Sequence, residues 1–297
     1  MTAAGAMRFI YHYPEASGPD GDALGAGPLA EVAVAAERAG FDGLSFSEHP
    51  VPGARWLASG GHQTLDPFVA LGYAAAVTTR LRLLTYLAVA PYRNPFLLAK
   101  AAATLDLLSG GRVVVGLGAG YQKSEFHALG VDFAERNALF DEALDVLPLH
   151  WRGEPFSYRG RHFSARDVIA RPRPVQDPIP IWVGGNSRLA RTRAAERAQG
   201  WMPMSGGPQL SATARTPALG GVAELAGAIT ALRESAGRHL DVVFSYHGAN
   251  TDSPDRHREA FAELAGAGVT WTLVSSGTGT TAATLEFLDG FGATYLS

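Results

Sequence analysis

Cysteine is absent from all 297 residues. That absence excludes disulfides, thiolate-bound zinc, iron–sulfur clusters and thiol catalysis, and it fits a reducing cytoplasm. Lysine is almost absent: Lys100 and Lys123 stand against 23 arginines, so Schiff-base chemistry would have only two candidates. No apolar run approaches the ~20 residues of a membrane span; the longest, such as the one within Arg80–Pro91, reach about half that. No basic start leads into an apolar stretch, so no secretory leader is expected, and Met1–Ala6 reads as a disordered lead-in. Net charge is only −3 and no block of basic residues occurs, which argues against nucleic acid as a partner. The nine histidines are scattered without His-x-His or His-Glu-x-x-His spacing, so no metal is expected. A Gly-x-Ser-x-Gly elbow is also missing.

What is present is alternation. Short apolar runs are followed by longer stretches of helical periodicity. Strands are predicted at Met7–Tyr13, Gly43–Glu48, Leu81–Val89 and Arg112–Leu117, with helices at Pro28–Ala39, Pro67–Val77, Pro95–Leu108 and Arg136–Trp151 between and after them. Asp66 and Asn94, each before a proline, read as N-caps. The rhythm breaks at Glu154–Asp177, an insertion that reads as a hairpin or lid around Arg159-Gly160 followed by a proline-stiffened connector. It resumes with strands at Ile181–Val183, Trp201–Met204, Val242–Tyr246 and Val269–Ser275, and helices at Leu189–Ala198, Val222–Ala236, Asp255–Ala265 and Ala282–Phe291. Ser205–Leu219 reads as a polar loop. Eight strand–helix units in one domain spanning 1–297 predict a (β/α)₈ TIM barrel rather than an open doubly wound sheet.

In such a barrel, functional side chains follow the strands' C-terminal ends. Three constellations lie there. The second strand ends in Ser47-Glu48-His49-Pro50; an imidazole exchanges protons at neutral pH, so His49, with Glu48 beside it, is a catalytic candidate as well as a plain rim histidine. The fourth ends in Gly116-Leu117-Gly118-Ala119-Gly120-Tyr121, which fails the dinucleotide pattern and fits either close approach to a flat ligand or barrel packing. The fifth ends in Gly184-Gly185-Asn186-Ser187 before a helix, which fits either a phosphate site or an ordinary capped turn.

These motifs, in order, resemble the bacterial-luciferase-like family of flavin- and deazaflavin-dependent oxidoreductases. The likeness is carried by Phe41–His49, Tyr92–Lys100, Leu108–Arg112, Gly116–Gly120, Glu125-Phe126, Arg171–Gln176 and Pro180–Ser187, and it covers about Met7 to Met204. It is strongest toward the coenzyme F420-dependent branch. The resemblance implies a flavin-type ring across the barrel mouth: coenzyme F420 carrying hydride to or from a small organic substrate, or alternatively FMN in a two-component monooxygenase. It implies His49 as proton donor or acceptor and a non-prolyl cis peptide at Tyr86–Leu87 under the ring. It further implies a ribityl chain near Gly118, Ala119, Gly120 and Tyr121, and a phosphate at Gly184, Gly185, Asn186 and Ser187. A homodimer through the second and third helices is implied, with Phe68, Leu71, Ala74, Ala75 and Ala76 suited to close helix contact. Three positions depart from the branch: Glu48 where aspartate is common, Gly53 where the sugar-phosphate dehydrogenases carry tryptophan, and Tyr121 where they carry glutamate. Glucose 6-phosphate is therefore not the expected substrate.

Overall fold

Alternation at the level of single residues builds a closed parallel barrel. The computed structural model describes residues 7–14, 24, 26–277 and 280–297, so the expected lead-in Met1–Ala6 lies outside the described residues. The chain runs β1 (Arg8–His12), α1 (Ala26–Arg38), β2 (Gly43–Phe46), α2 (Ala54–Ala58), α3 (Pro67–Val77), β3 (Arg82–Thr85), β4 (Ala88–Val89), α4 (Pro95–Ser109) and β5 (Val113–Gly118). It continues α5 (Lys123–Ala128), α6 (Arg136–Trp151), β6 (Pro155–Arg159), β7 (Ser164–Ile169), β8 (Ile181–Gly184), α7 (Arg188–Arg197), β9 (Gly200–Met202) and α8 (Pro208–Thr213). It ends α9 (Val222–Ala236), β10 (Asp241–Ser245), α10 (Pro254–Gly266), β11 (Trp271–Val274) and α11 (Thr281–Phe291).

The barrel strands pair in the order β3-β2-β1-β11-β10-β9-β8-β5, and β3–β5 pairing, Leu83 opposite Val113, closes the ring. All of these pairs are parallel. Successive residues of a strand face opposite sides. Leu83 and Val113 therefore join the layer between barrel and helices, whereas Leu84 and Val114 fill the interior with Ile10, Trp182, Met202 and Trp271. The expected third strand is split into β3 and β4, and the peptide between Tyr86 and Leu87 is cis.

Caps fall where the sequence places them. Asp66 accepts from the N–H groups of Phe68 (2.9 Å) and Val69 (3.0 Å) at the start of α3. Asn94 accepts from Phe96 N–H, and Gly110 closes α4 in the left-handed region at φ 69°. Asp66→Ala removes the first of these caps and is expected to cost about 1 kcal/mol, which thermal melting reads as a drop of roughly 2 °C in a chain this size.

Short helices α2 and α5 occupy segments to which the sequence reading assigns no element, and α8 occupies part of the expected polar loop. Within Glu154–Asp177, β6 and β7 form an antiparallel hairpin tied to α6: Glu142 accepts from the N–H groups of His162 and Phe163, and Tyr158 Oη donates to Asp145. None of its residues lines the main cavity. Of the α3 residues expected at a helix contact, Leu71, Ala74 and Ala75 are buried in the core, Phe68 is half-buried and Ala76 is exposed. The larger exposed apolar side chains of α3 are Val69, Tyr73 and Val77, one stripe at i, i+4, i+8.

Candidate active site

The C-terminal ends of the strands enclose a cavity of about 620 Å³, within the usual range for a cofactor or small-molecule site. Every residue singled out from the sequence lines it except Asn186.

His49 sits at one end. Its ring Nδ1 lies 3.1 Å from Glu125 Oε2, a carboxylate with no exposed surface. An ionised carboxylate only accepts, so Nδ1 carries the proton and Nε2 is the nitrogen left to exchange one. Glu125 is itself held: Tyr92 Oη donates to Oε2 at 2.8 Å and Val51 N–H to Oε1 at 3.3 Å. Burial, then the negative charge of Glu125, pushes the Tyr92 phenol far above its ordinary range, so it stays a donor. The His49 ring packs against Trp56, centroids 4.5 Å apart, and edge-on against His62 at 5.1 Å. Its backbone is fixed by a bond from His49 N–H to Thr64 Oγ1 at 3.0 Å.

The Glu48 carboxylate turns away from His49, although Glu48 lines the cavity. Neighbours at a strand end diverge, and its carboxylate is buried, accepting from Val89 N–H at 2.6 Å and paired with Arg93. Those bonds anchor β4 and the turn after it. Glu48 thus holds β4, which directly follows Leu87, and the carboxylate bonded to His49 is Glu125. Sequence spacing hid this pair, because the two residues are 76 positions apart.

The floor explains the glycines. A Cβ on Gly118 would lie 2.5 Å from Leu87 Cδ1, and one on Gly184 would lie 2.3 Å from Leu87 Cδ2. Both positions are therefore notched to seat the Leu87 side chain, which lines the cavity in turn. Gly120, at φ 78°, makes room for Val89 and Phe126. Packing, rather than direct backbone approach, accounts for these positions, and the result is an apolar shelf on which a flat ring can rest. Tyr86 continues it, with Oη 2.8 Å from Ser245 Oγ. Gln122 lines the cavity while nine-tenths buried, and its amide nitrogen has no hydrogen-bond partner among the described residues. A buried donor of this kind is satisfied when a ligand acceptor arrives.

The far end is the N-terminus of α7. Ser187 caps it, accepting from Ala190 N–H at 3.1 Å. Two expected donors are already committed: Gly185 N–H bonds Met202 O and Asn186 N–H bonds Thr216 Oγ1. The Asn186 side chain is buried in bonds to Met204 and Pro217 and does not line the cavity. First-turn N–H groups, here those of Arg188 and Leu189, have no partner within a helix, and the helix dipole adds positive potential. The anion-binding capacity is therefore displaced by one or two residues from Gly184–Ser187 into the first turn of α7. Arg136 lines the cavity on this side.

The C-terminal third supplies a wall that motif matching missed: Ser245 at the end of β10, Tyr246 and His247 after it, Leu273 of β11 and Ser275 just beyond it. His247 Nε2 lies 3.0 Å from Ser205 Oγ, and burial, then nearby His12, holds its imidazole below the ordinary range. Position alone could have flagged these residues, since they end strands.

Replacing Glu125 with glutamine keeps the shape and removes the charge behind His49. The expected result is a kcat lowered about tenfold with cofactor affinity unchanged; stopped-flow rates beside an equilibrium titration separate the two.

A family model described as luciferase-like monooxygenase matches residues 7–286. An F420-dependent glucose-6-phosphate dehydrogenase of Microbacterium testaceum is 31% identical over 229 residues, 75% of this chain and 66% of that protein. The matches span about half to two thirds of the length of the curated relatives. Among solved structures, the monooxygenase RslO1 of Streptomyces bottropensis superposes with a TM-score of 0.81 at 20% identity, covering 98% of this chain and 99% of that one. An F420-dependent secondary alcohol dehydrogenase bound to an F420–acetone adduct gives 0.74 at 17%, covering 97% and 98%. At such identities the likeness is one of fold.

Proposed function

Because the chain belongs to the luciferase-like monooxygenase family, we propose that it is an oxidoreductase moving hydride between coenzyme F420 and a small organic substrate. One observation carries the reading: a histidine backed by a buried carboxylate, His49 with Glu125 at 3.1 Å, opens onto the same cavity as an apolar shelf and a helix N-terminus. The residues fit such a group. Leu87, seated on Gly118 and Gly184, would support the ring; Gln122 would donate to a ring or chain acceptor; the first turn of α7 and Arg136 would take the phosphate. When bound, the deazaflavin supplies a two-electron hydride carrier. The protein's part is to orient, to exclude water and to move one proton. His49 Nε2 gives a proton to the substrate heteroatom, or takes it, while Glu125 stabilises the imidazolium. Glu48 and Arg93 hold the Leu87 shelf in place.

Relatives named as F420-dependent enzymes support the cofactor. The substrate class differs from theirs on this reading: Gly53 lacks the expected tryptophan side chain, although Trp56 from α2 covers His49 instead. No lysine is among the residues lining the cavity. A second reading, an FMN-dependent monooxygenase, is favoured by Glu48 in place of aspartate. Oxygen separates them. Turnover of F420 with alcohols or carbonyl compounds under argon supports the first reading, and an absolute requirement for dioxygen with reduced FMN overturns it. The exposed stripe Val69, Tyr73, Val77 supports a homodimer through α3, with Leu97 of α4 exposed as well.

A further inference from the structure

At the α7 end of the cavity three cations gather around one aromatic ring. Arg136 Cζ lies 4.1 Å from the Phe133 ring centre, Arg215 Cζ 5.4 Å and Lys123 Nζ 5.4 Å. They come from three separate segments: the start of α5, the start of α6 and the loop after α8. Among the described residues none of the three forms an ion pair with a carboxylate. The acidic neighbours are otherwise engaged. Asp132 caps Ala134 N–H at 2.8 Å, and Glu135 pairs with Arg161 and His162.

The cluster is placed over the anion end of the site. Arg136 and Arg215 both line the cavity. Thr216, next to Arg215, accepts from Asn186 N–H at 2.7 Å, which pins that loop against the residues leading into α7. Arg215 takes a left-handed backbone at φ 53° there. Burial, then repulsion from Arg215, lowers the Arg136 guanidinium below its ordinary range. Like charges held together without counter-charge are stabilised by an anionic ligand.

Arg136 is the cation already assigned to the phosphate, which leaves Arg215 and Lys123 over. We propose that Arg215 and Lys123 form a second anionic subsite, outside the phosphate, for carboxylates carried on the far side of it. Resting on the F420 reading, this subsite takes the glutamyl tail of the deazaflavin coenzyme. FMN ends at its phosphate and has nothing to place there. The contacts are exposed and charge-dominated, so their contribution falls with ionic strength.

The test is equilibrium binding to the full chain, wild type and Arg215→Gln/Lys123→Gln. The ligands are F420 with its glutamyl tail, the same coenzyme without glutamates, and FMN. Arg136 is left intact. Both substituted side chains are exposed, and melting checks the fold. The double variant is expected to bind tailed F420 about tenfold more weakly, to change less than twofold toward the tail-less coenzyme, and to show the same salt dependence for both forms. Equal weakening for both forms overturns the subsite and assigns the cluster to the phosphate. Unchanged affinity for the tailed form overturns it too. A wild type that binds FMN but no deazaflavin in any form overturns the parent reading, and the subsite with it. Because the tail-less coenzyme reads the parent site alone, the two failures are distinguishable.

Discussion

Replacing His49 with asparagine is expected to lower kcat between a hundredfold and ten-thousandfold, the usual contribution of a positioned acid–base group, with cofactor affinity held within about threefold. The argument is geometric. His49 is fixed by Glu125 at Nδ1, by Thr64 at the backbone and by Trp56 against the ring. Such immobilisation serves a group that must present one nitrogen in one direction. Asparagine retains polarity but cannot exchange a proton near neutral pH. The shelf at Leu87 and the α7 terminus are untouched, so binding should persist. Single-turnover rates with a saturating substrate, beside a cofactor titration, make the separation. A rate within fivefold of wild type would contradict the proton-transfer role.

Ser187→Asp carries the second large effect. Aspartate caps a helix as well as serine does, so the acceptor for Ala190 N–H is kept and the fold should melt within about 2 °C of wild type. It also places a fixed negative charge at the locus assigned to the phosphate. Cofactor affinity should fall about a hundredfold, equivalent to ~2.7 kcal/mol. The variant is cleaner than one at Gly185, whose φ of 105° penalises any side chain there. Unchanged affinity with an intact fold would move the phosphate elsewhere.

Much of the barrel was legible because local chemistry sets it. Asp66-Pro67 and Asn94-Pro95 announce helix starts, and Gly110 announces a stop, through rules that need no tertiary context. Several residues of the family-like motifs prove to be scaffold. Val175 and Gln176 donate their backbone N–H groups to Asp106, and Arg112 donates to the carbonyls of Ala75, Thr78 and Ser109, all away from the cavity. The site was legible only where it follows a strand. His49, Gly118 and Ser187 could be found that way. Trp56, the Leu87 notch and the pairing of Glu125 with His49 could not, since each depends on a contact between segments that the strand-end rule does not link. Glu48 misled for the opposite reason: adjacency in sequence places it beside His49, while strand geometry turns it toward Val89 and Arg93.

The most direct measurement is an anaerobic equilibrium titration of the purified chain with coenzyme F420 and, separately, with FMN. The expected result is saturable one-to-one binding of F420 at least about tenfold tighter than FMN, a difference of ~1.4 kcal/mol. Tight FMN binding with no binding of F420 would contradict hydride transfer through a deazaflavin.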